Sequence, residues 1–443
     1  MELFDYQKEG VEFLLSHSGG MLLDEQGLGK TIQALNAVNK MAQVGWKQGK
    51  ACVVVVVCPA IMQGTWKHHI ENILDNRIAS IVHSYEWYVK LENYRGLMKL
   101  IHQSCNSVCV IVDESHYIKT PTSKRTKTVQ HLLTLENIIL KVLLTGTPIT
   151  RDVDDLFTQL KVFYPNFCRT IFEYRKRYMN CIHSYFGDTF KGFKNDSAKA
   201  EIINYLKHCS LRRTKKSAGL ELPSITRTPV FVDINKKVAE QSLEILDYAT
   251  KVILGTKTTT GINGTQDYAE YKTNLAEEAS HIASVRKALG VAKVPQVLQY
   301  IEHLLQSGTQ KLIVFGVHID VVNLIYEALK EKYKDIKTHR IIGATTNTQR
   351  EKIISEFQNE DTPQIIVANM IACGVGVTLT KAHTVVFAEL DFTPSNIMQA
   401  EARVHRITQE HIVNSIFMIA NDSLDEKILG IIREKIGVIK EVI

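Results

Sequence analysis

Short, unbroken apolar runs alternate with stretches of helical period through the first 150 residues. The runs are Gly20–Leu23, Ala51–Cys58, Ile78–His83, Val108–Val112 and Lys141–Thr145. Runs that are apolar throughout, rather than on alternate positions, predict strands buried on both faces, which is the state of a parallel sheet covered by helices. The same alternation resumes at Lys311–Phe315 and continues with His339–Ile342, Gln364–Ala368 and Thr384–Ala388; a last strand and helix fill Asn414 to Val442. Between the two series, residues 151–295 carry helical periodicity, aromatics and basic residues, with Thr228–Val232 as the main strand-like interruption. The pattern predicts an α/β protein of two parallel-sheet lobes with helical insertions between them. The expected boundaries are a first lobe at 1–152 with its helical insertion at 153–222, then a helical insertion of the second lobe at 223–295 and that lobe at 296–443. The Thr/Gly-rich stretch Gly255–Gly264 reads as a flexible loop between helices.

Composition narrows the class. The 443 residues suffice for two or three domains. The valine run Val53–Val57 is too short to span a bilayer. Met1–Tyr6 has neither a charged nor an apolar leader segment, so no secretory signal is read. The chain has 8 cysteines without a Cys-x-x-Cys pair or zinc-like spacing, and Cys52, Cys58, Cys109 and Cys373 lie in or beside apolar runs. Free thiols in a reducing compartment are expected, either cytoplasmic or nucleoid-associated, or nuclear in a eukaryote. A net charge of +6 is modest, but basic residues cluster. Lys119, Lys124, Arg125 and Lys127 stand in an acid-free run, as do Lys207, Arg212, Arg213, Lys215 and Lys216. Such runs are usually solvated faces; beside a nucleotide site they also suit a phosphate backbone.

Two segments carry chemistry. Asp24-Glu25-Gln26-Gly27-Leu28-Gly29-Lys30-Thr31 follows one strand and precedes a helical stretch. Backbone N–H groups there can cradle phosphates, Lys30 can reach the β/γ oxygens and the Thr31 hydroxyl can ligate Mg²⁺. The stricter phosphate-loop pattern has glycine where this chain has Asp24. Asp113-Glu114-Ser115-His116 follows another strand. It offers one carboxylate for Mg²⁺ and a second to activate water. Together they predict ATP hydrolysis. In the second lobe, which has no phosphate loop, Arg403 and Arg406 lie three apart and would share a helix face. Two guanidiniums could serve as arginine fingers; ion pairs with Glu401 and Glu410 are the plainer alternative.

Read in order, these residues resemble the Swi/Snf-type ATPases of helicase superfamily two. Tyr6-Gln7 with Gly10-Val11 is similar to the segment whose glutamine selects adenine, and residues 24–31 resemble motif I. Cys58-Pro59 with Trp66, then Ser84-Tyr85-Glu86, resemble motifs Ia and Ib. Asp113–His116 resembles motif II and Leu144–Pro148 motif III. Leu211-Arg212-Arg213-Thr214-Lys215, with Leu222-Pro223, is similar to the segment between the lobes. Gly343, Arg350 and Phe357, then Gly374–Thr380, and finally Gln399–Gln409, resemble the second-lobe motifs through V and VI.

The resemblance implies RecA-like lobes, ATP and Mg²⁺ as cofactors, and double-stranded DNA as a sequence-independent partner. It implies that Gln7, residues Asp24, Glu25, Gln26, Gly27, Leu28, Gly29, Lys30 and Thr31, and Gly376 bind nucleotide, and that Gln399 joins Lys30, Asp113, Glu114, Arg403 and Arg406 in catalysis. It gives Pro59, Trp66, Ser84, Tyr85, Lys124, Arg125, Thr147, Arg212, Arg213 and Thr378 to nucleic acid. Arg151, Asp155, Phe392-Thr393-Pro394 and Thr408 depart from the usual pattern, and none is a phosphate or metal ligand. The Asp-Glu-Ser-His form and the short inter-lobe region stand closest to the annealing-helicase and fork-remodelling branch. A chain trimmed to its motifs suggests a monomeric motor from a virus, phage or prokaryote, directed by a nuclease or a replication or repair partner. The expected activity is translocation on duplex DNA without strand separation. The rivals are a strand-separating helicase on DNA or RNA and a catalytically idle DNA-binding scaffold.

Overall fold

The computed structural model describes residues 2–47, 49–104, 107–184, 187–244, 265–373 and 377–442. It divides into two compact units, one of Met1–Ile182, Phe190–Glu221 and Gly437–Ile443, the other of His183–Thr189 and Leu222–Ile436. The first holds a six-stranded parallel sheet in the order β3-β2-β4-β5-β1-β8. Its strands are β1 (Gly19–Leu22), β2 (Cys52–Cys58), β3 (Ala79–Ser84), β4 (Ser107–Asp113), β5 (Ile138–Leu144) and the short β8 (Ser210–Leu211). The helices are α1 (Asp5–Ser16), α2 (Lys30–Trp46), α3 (Gln63–Ile73), α4 (Tyr85–Val89), α5 (Leu91–Ser104), α6 (Lys124–Leu132), α7 (Phe157–Phe163), α8 (Ile171–Tyr178) and α9 (Asp196–Cys209). The valine run is the central strand β2, buried along its whole length. Val53, Val55 and Val57 face one core while Val54 and Val56 face the other. A strand between two helical layers must be apolar on both faces, and each valine so buried contributes roughly 1.5–3 kcal/mol.

The second unit repeats the architecture. Its sheet runs β11-β12-β10-β13-β14-β9, again all parallel. The strands are β9 (Ile225–Val232), β10 (Lys311–Gly316), β11 (Lys337–Ile341), β12 (Gln364–Asn369), β13 (Thr384–Phe387) and β14 (Val413–Ala420). Residues 236–244 form α10. They are followed by α11 (Thr265–Gln306), α12 (Ile319–Lys332), α13 (Asn347–Asn359), α14 (Met370–Cys373), α15 (Pro394–Val404) and α16 (Leu424–Val442). Among the described residues no helix is long and apolar enough to cross a membrane.

Three features differ from the periodicity reading. A two-stranded hairpin of β6 (Met179–Ser184) and β7 (Gly187–Phe193) stands where helix was expected. The helical run ends at Tyr178, and the alternation that follows is too short to tell from helical period. Strand β9 begins at Ile225, earlier than the apolar signal, because Thr226, Arg227 and Thr228 are polar. It is an edge strand beside β14, and an edge tolerates its Pro229. Helix α11 runs through Pro295 and past the expected boundary at 295. The expected flexible loop Gly255–Gly264 lies outside the described residues.

Candidate active site

Parallel strands end on one edge of their sheet, and chain crossovers there open a site. In the first unit β4, β5 and β1 are neighbours, so Asp113, Leu144 and Leu22 fall in one row across it. Three separate sequence segments thereby meet: 24–31 after β1, 113–116 after β4 and 145–147 after β5. Helix α2 begins at Lys30, and its cap is Gly29 in the left-handed region at φ 73°, with no side-chain cap bond. The backbone angle favours glycine there, and a Cβ would also crowd the end of the Gln7 side chain, 2.5 Å from its amide nitrogen. Gln7 is buried and donates to the Leu28 carbonyl at 3.4 Å. Lys30 turns its ammonium onto the carbonyls of Asp24 (2.6 Å) and Glu25 (3.2 Å). Burial lowers its pKa, against the fields of Glu114, Asp24 and Asp113. Both polar atoms of the Gln26 amide are buried without partners.

The acidic pair is held from several sides. Asp113 Oδ1 accepts the Glu114 N–H at 3.0 Å, and Oδ2 accepts the Trp66 indole N–H at 2.8 Å. Burial and then the Glu114 charge push the Asp113 carboxyl up to about 6, against the pull of Trp66 and Lys30. Glu114 sits at φ 50°, in the left-handed region where a non-glycine residue is strained. The Thr145 hydroxyl donates to Glu114 Oε2 at 3.4 Å, and His116 Nδ1 lies 3.3 Å from that oxygen and 3.1 Å from the hydroxyl. A tight glycine turn, an uncapped helix N-terminus, one ammonium and two carboxylates together fit a triphosphate with its divalent cation. Thr31 and Asp113 are the residues that would hold the metal.

The second unit carries the arginines. Glu401 is taken by Arg227 of β9 (2.6 and 2.8 Å) and by the Ser415 hydroxyl (2.8 Å). The expected shared helix face is corrected: α15 ends at Val404, and Arg406 lies beyond it. What brings the two guanidiniums together is the Val377 carbonyl, at 3.5 Å from Arg403 and 3.4 Å from Arg406. Arg406 also donates to the Thr378 hydroxyl at 2.6 Å, and burial lowers its pKa. Arg403 donates to the Gln399 carbonyl at 3.2 Å; Gln399 itself is buried. Gly376 lies outside the described residues.

Several residues expected at nucleic acid are engaged inside the protein. Trp66 and Tyr85 are fully buried, and the Tyr85 hydroxyl donates to the Asp113 carbonyl at 2.6 Å. Arg213 is buried and grips Asp24, with Nη2 at 2.6 Å from Oδ2 and Nε at 3.1 Å from Oδ1. The Asp24 carboxylate is thereby paired with a protein cation. Arg212 donates to the carbonyls of Leu23 (3.1 Å) and Gly146 (3.5 Å). Ser84 caps α4, while Pro59 and Thr147 are buried. Of these, Trp66 and Tyr85 end on the acidic pair and Arg213 on Asp24. Lys124 is exposed; Arg125 is about one-third exposed, bonded to Glu86 at 2.9 Å. No motif marked Trp66, Tyr85 and Arg213 as partners of Asp113 and Asp24; the one signal was an unexpected acid in the glycine position of the phosphate loop.

A sequence profile of the SNF2-related domain matches residues 6–281, and one of the helicase conserved C-terminal domain matches 293–408. The DNA annealing helicase and endonuclease ZRANB3 of Bos taurus is 28% identical over 459 residues, covering 98% of this chain and 40% of that protein. The SWI/SNF-related matrix-associated actin-dependent regulator of chromatin subfamily A-like protein 1 of Xenopus tropicalis is 28% identical over 454 residues, 99% of this chain and 44% of its own. The chain thus spans less than half the length of these two relatives. Among solved structures, the Sulfolobus solfataricus SWI2/SNF2 ATPase core in complex with dsDNA is 22% identical, with TM-score 0.42, over 100% of this chain and 93% of that one. With the SNF2-related profile matching more than half of its length, the chain belongs to the SNF2-related domain family.

Proposed function

We propose that the chain is a DNA-dependent ATPase that translocates on double-stranded DNA and remodels DNA structures or protein–DNA complexes without processive strand separation. The observation that carries the reading is the meeting of Lys30, Asp113 and Glu114 beyond the carboxyl ends of β1 and β4, on either side of β5, in a chain of this family. Residues 27–31 bind the phosphates, Lys30 meets charge at the β/γ oxygens, and Thr31 and Asp113 hold Mg²⁺, which when bound neutralises phosphate charge. Glu114 orients water and takes its proton. Arg403 and Arg406 are the residues that would stabilise the charge that develops on the transferred phosphoryl group, with Gln399 in support. Gln7 selects adenine. Exposed cations such as Lys124 grip phosphates, which gives binding little sequence preference and a steep salt dependence.

The names of the relatives, an annealing helicase among them, favour remodelling over unwinding. A strand-separating helicase is the second reading; it would need an element that parts the strands, and the two-stranded sheet of β6 and β7, which the sequence had not disclosed, is the candidate for one. ATPase assays with naked duplex, forked and single-stranded DNA test the first point: no stimulation by any of them refutes the proposal. Displacement of a triplex strand without separation of a duplex bearing overhangs supports translocation, and efficient separation overturns it in favour of the helicase.

A further inference from the structure

Trp66 and Tyr85 come from different segments, on α3 and α4, yet both end on the acidic pair. Trp66 gives its only polar hydrogen to Asp113 Oδ2 at 2.8 Å. Tyr85 donates to the Asp113 carbonyl at 2.6 Å and lies 3.4 Å from the carbonyl of Glu114. Both side chains are fully buried, so neither bond competes with water. The outer ends of the same elements reach the surface. Lys67, next to Trp66, is exposed. The Tyr85 ring stacks on Tyr117 with centroids 5.4 Å apart, and the Arg125 guanidinium lies over both rings at 5.3 and 5.0 Å. Arg125 belongs to the basic run of α6 and is about one-third exposed.

A carboxylate that ligates a metal is oriented by the donors behind it, and removing such a donor typically costs ~10–100-fold in metal affinity or activity. We propose that Trp66 and Tyr85 are positioning residues that fix Asp113 for the divalent cation, and that Arg125, stacked on Tyr85, links the basic surface of α6 to that site. The metal half needs only the fit of the acidic pair to Mg²⁺; the link to α6 rests on the DNA-dependent ATPase reading.

The test separates the two. Without DNA, binding of a fluorescent non-hydrolysable ATP analogue is titrated with Mg²⁺, and Mn²⁺ binding is followed by electron paramagnetic resonance. Trp66→Phe and Tyr85→Phe are expected to raise the half-saturating Mg²⁺ by ~10–100-fold, with nucleotide binding in the absence of metal and duplex binding unchanged. Tyr85→Phe removes one oxygen and keeps the ring, so it decides the matter even if Trp66→Phe does not fold. Arg125→Ala should leave the DNA-free Mg²⁺ midpoint alone and lower the ratio of duplex-stimulated to basal turnover. A wild-type midpoint in Tyr85→Phe overturns the positioning role, and a wild-type ratio in Arg125→Ala overturns the link. Wild-type protein that ignores DNA while Tyr85→Phe still shifts the midpoint would sink the DNA reading alone.

Discussion

Replacing Arg213 by methionine should destabilise the first unit. Asp24 is fully buried, and Arg213 is 7% exposed. The carboxylate receives the guanidinium twice, at 2.6 and 3.1 Å, along with the Arg213 N–H (3.0 Å) and the Gln33 amide (3.1 Å). The guanidinium also serves Gln33 Oε1 at 2.8 Å and the Tyr6 carbonyl. Removing one partner of a buried pair costs about 3–5 kcal/mol, because the other charge is stranded. Two donors to Asp24 survive in Arg213→Met, which places the expected loss near the lower end, ~3 kcal/mol. For a unit of this size that is a fall of roughly 6–12 °C in Tm. All 3 tryptophans of the chain, Trp46, Trp66 and Trp87, lie in the first unit, so urea unfolding followed by their fluorescence reads that unit without assuming that both melt together. Asp24→Asn removes the stranded charge, and the double variant should recover ~0.5–3 kcal/mol relative to additivity. A loss below ~1 kcal/mol for Arg213→Met, or strict additivity in the cycle, would refute the argument that this pair fastens the phosphate loop.

Glu114→Gln should keep ATP binding and lower turnover by at least ~10²; single-turnover hydrolysis at wild-type rate would remove the proposed base. Arg406→Ala should lower turnover by ~10³ or more while duplex affinity, by fluorescence anisotropy, stays within about twofold; equal loss of both would mark a structural arginine. In the second unit, burial and then the neighbouring His411 hold the His383 pKa below its ordinary 6.5. A lowered histidine pKa means that the unfolded chain takes the proton first. Its stability contribution is therefore complete above pH 6.5 and is lost as pH falls below it. His383→Asn should flatten this decline, read by amide hydrogen exchange in β13 and β14 at pH 5.5 and 7.5 (about one unit to either side of the titration); equal acid sensitivity in the variant would show that other groups cause it.

The central strands were legible because burial on both faces leaves a mark that no helix stripe imitates: a run like Val53–Val57 has few other places to go. The nucleotide loop was legible because a turn at φ 73° before an uncapped helix demands glycine at a fixed position. Contacts between remote segments left no such mark. Trp66 in a motif expected at nucleic acid and Trp66 bonded to Asp113 are the same letter at the same spacing, and only the fold shows which face of α3 turns inward. The same holds for Arg406. Three-residue spacing predicts a shared face only while the helix lasts, and α15 ends at Val404, where the next residue, His405, has its ring 2.8 Å from the Pro223 carbonyl.

The acid at position 24 makes sense once the chain that leaves the first unit is followed. Strand β8 pairs with β1, setting Ser210 against Met21 and Leu211 against Leu22. The ladder continues past both strands: Leu23 N–H donates to the Leu211 carbonyl at 2.8 Å, Glu25 N–H to the Arg213 carbonyl at 2.9 Å, and Lys215 N–H to the Glu25 carboxylate at 2.8 Å. Residues 211–215 are thus bonded step by step to the first residues of the phosphate loop, and Asp24 with Arg213 is the buried rivet in that seam. Glycine at position 24 would leave the seam without its ion pair. Residues 211–215 lead on to Leu222, where the chain re-enters the second unit. Substituting Arg213 should therefore loosen this seam by removing its ion pair, while the backbone bonds and every proposed phosphate and metal ligand remain in place.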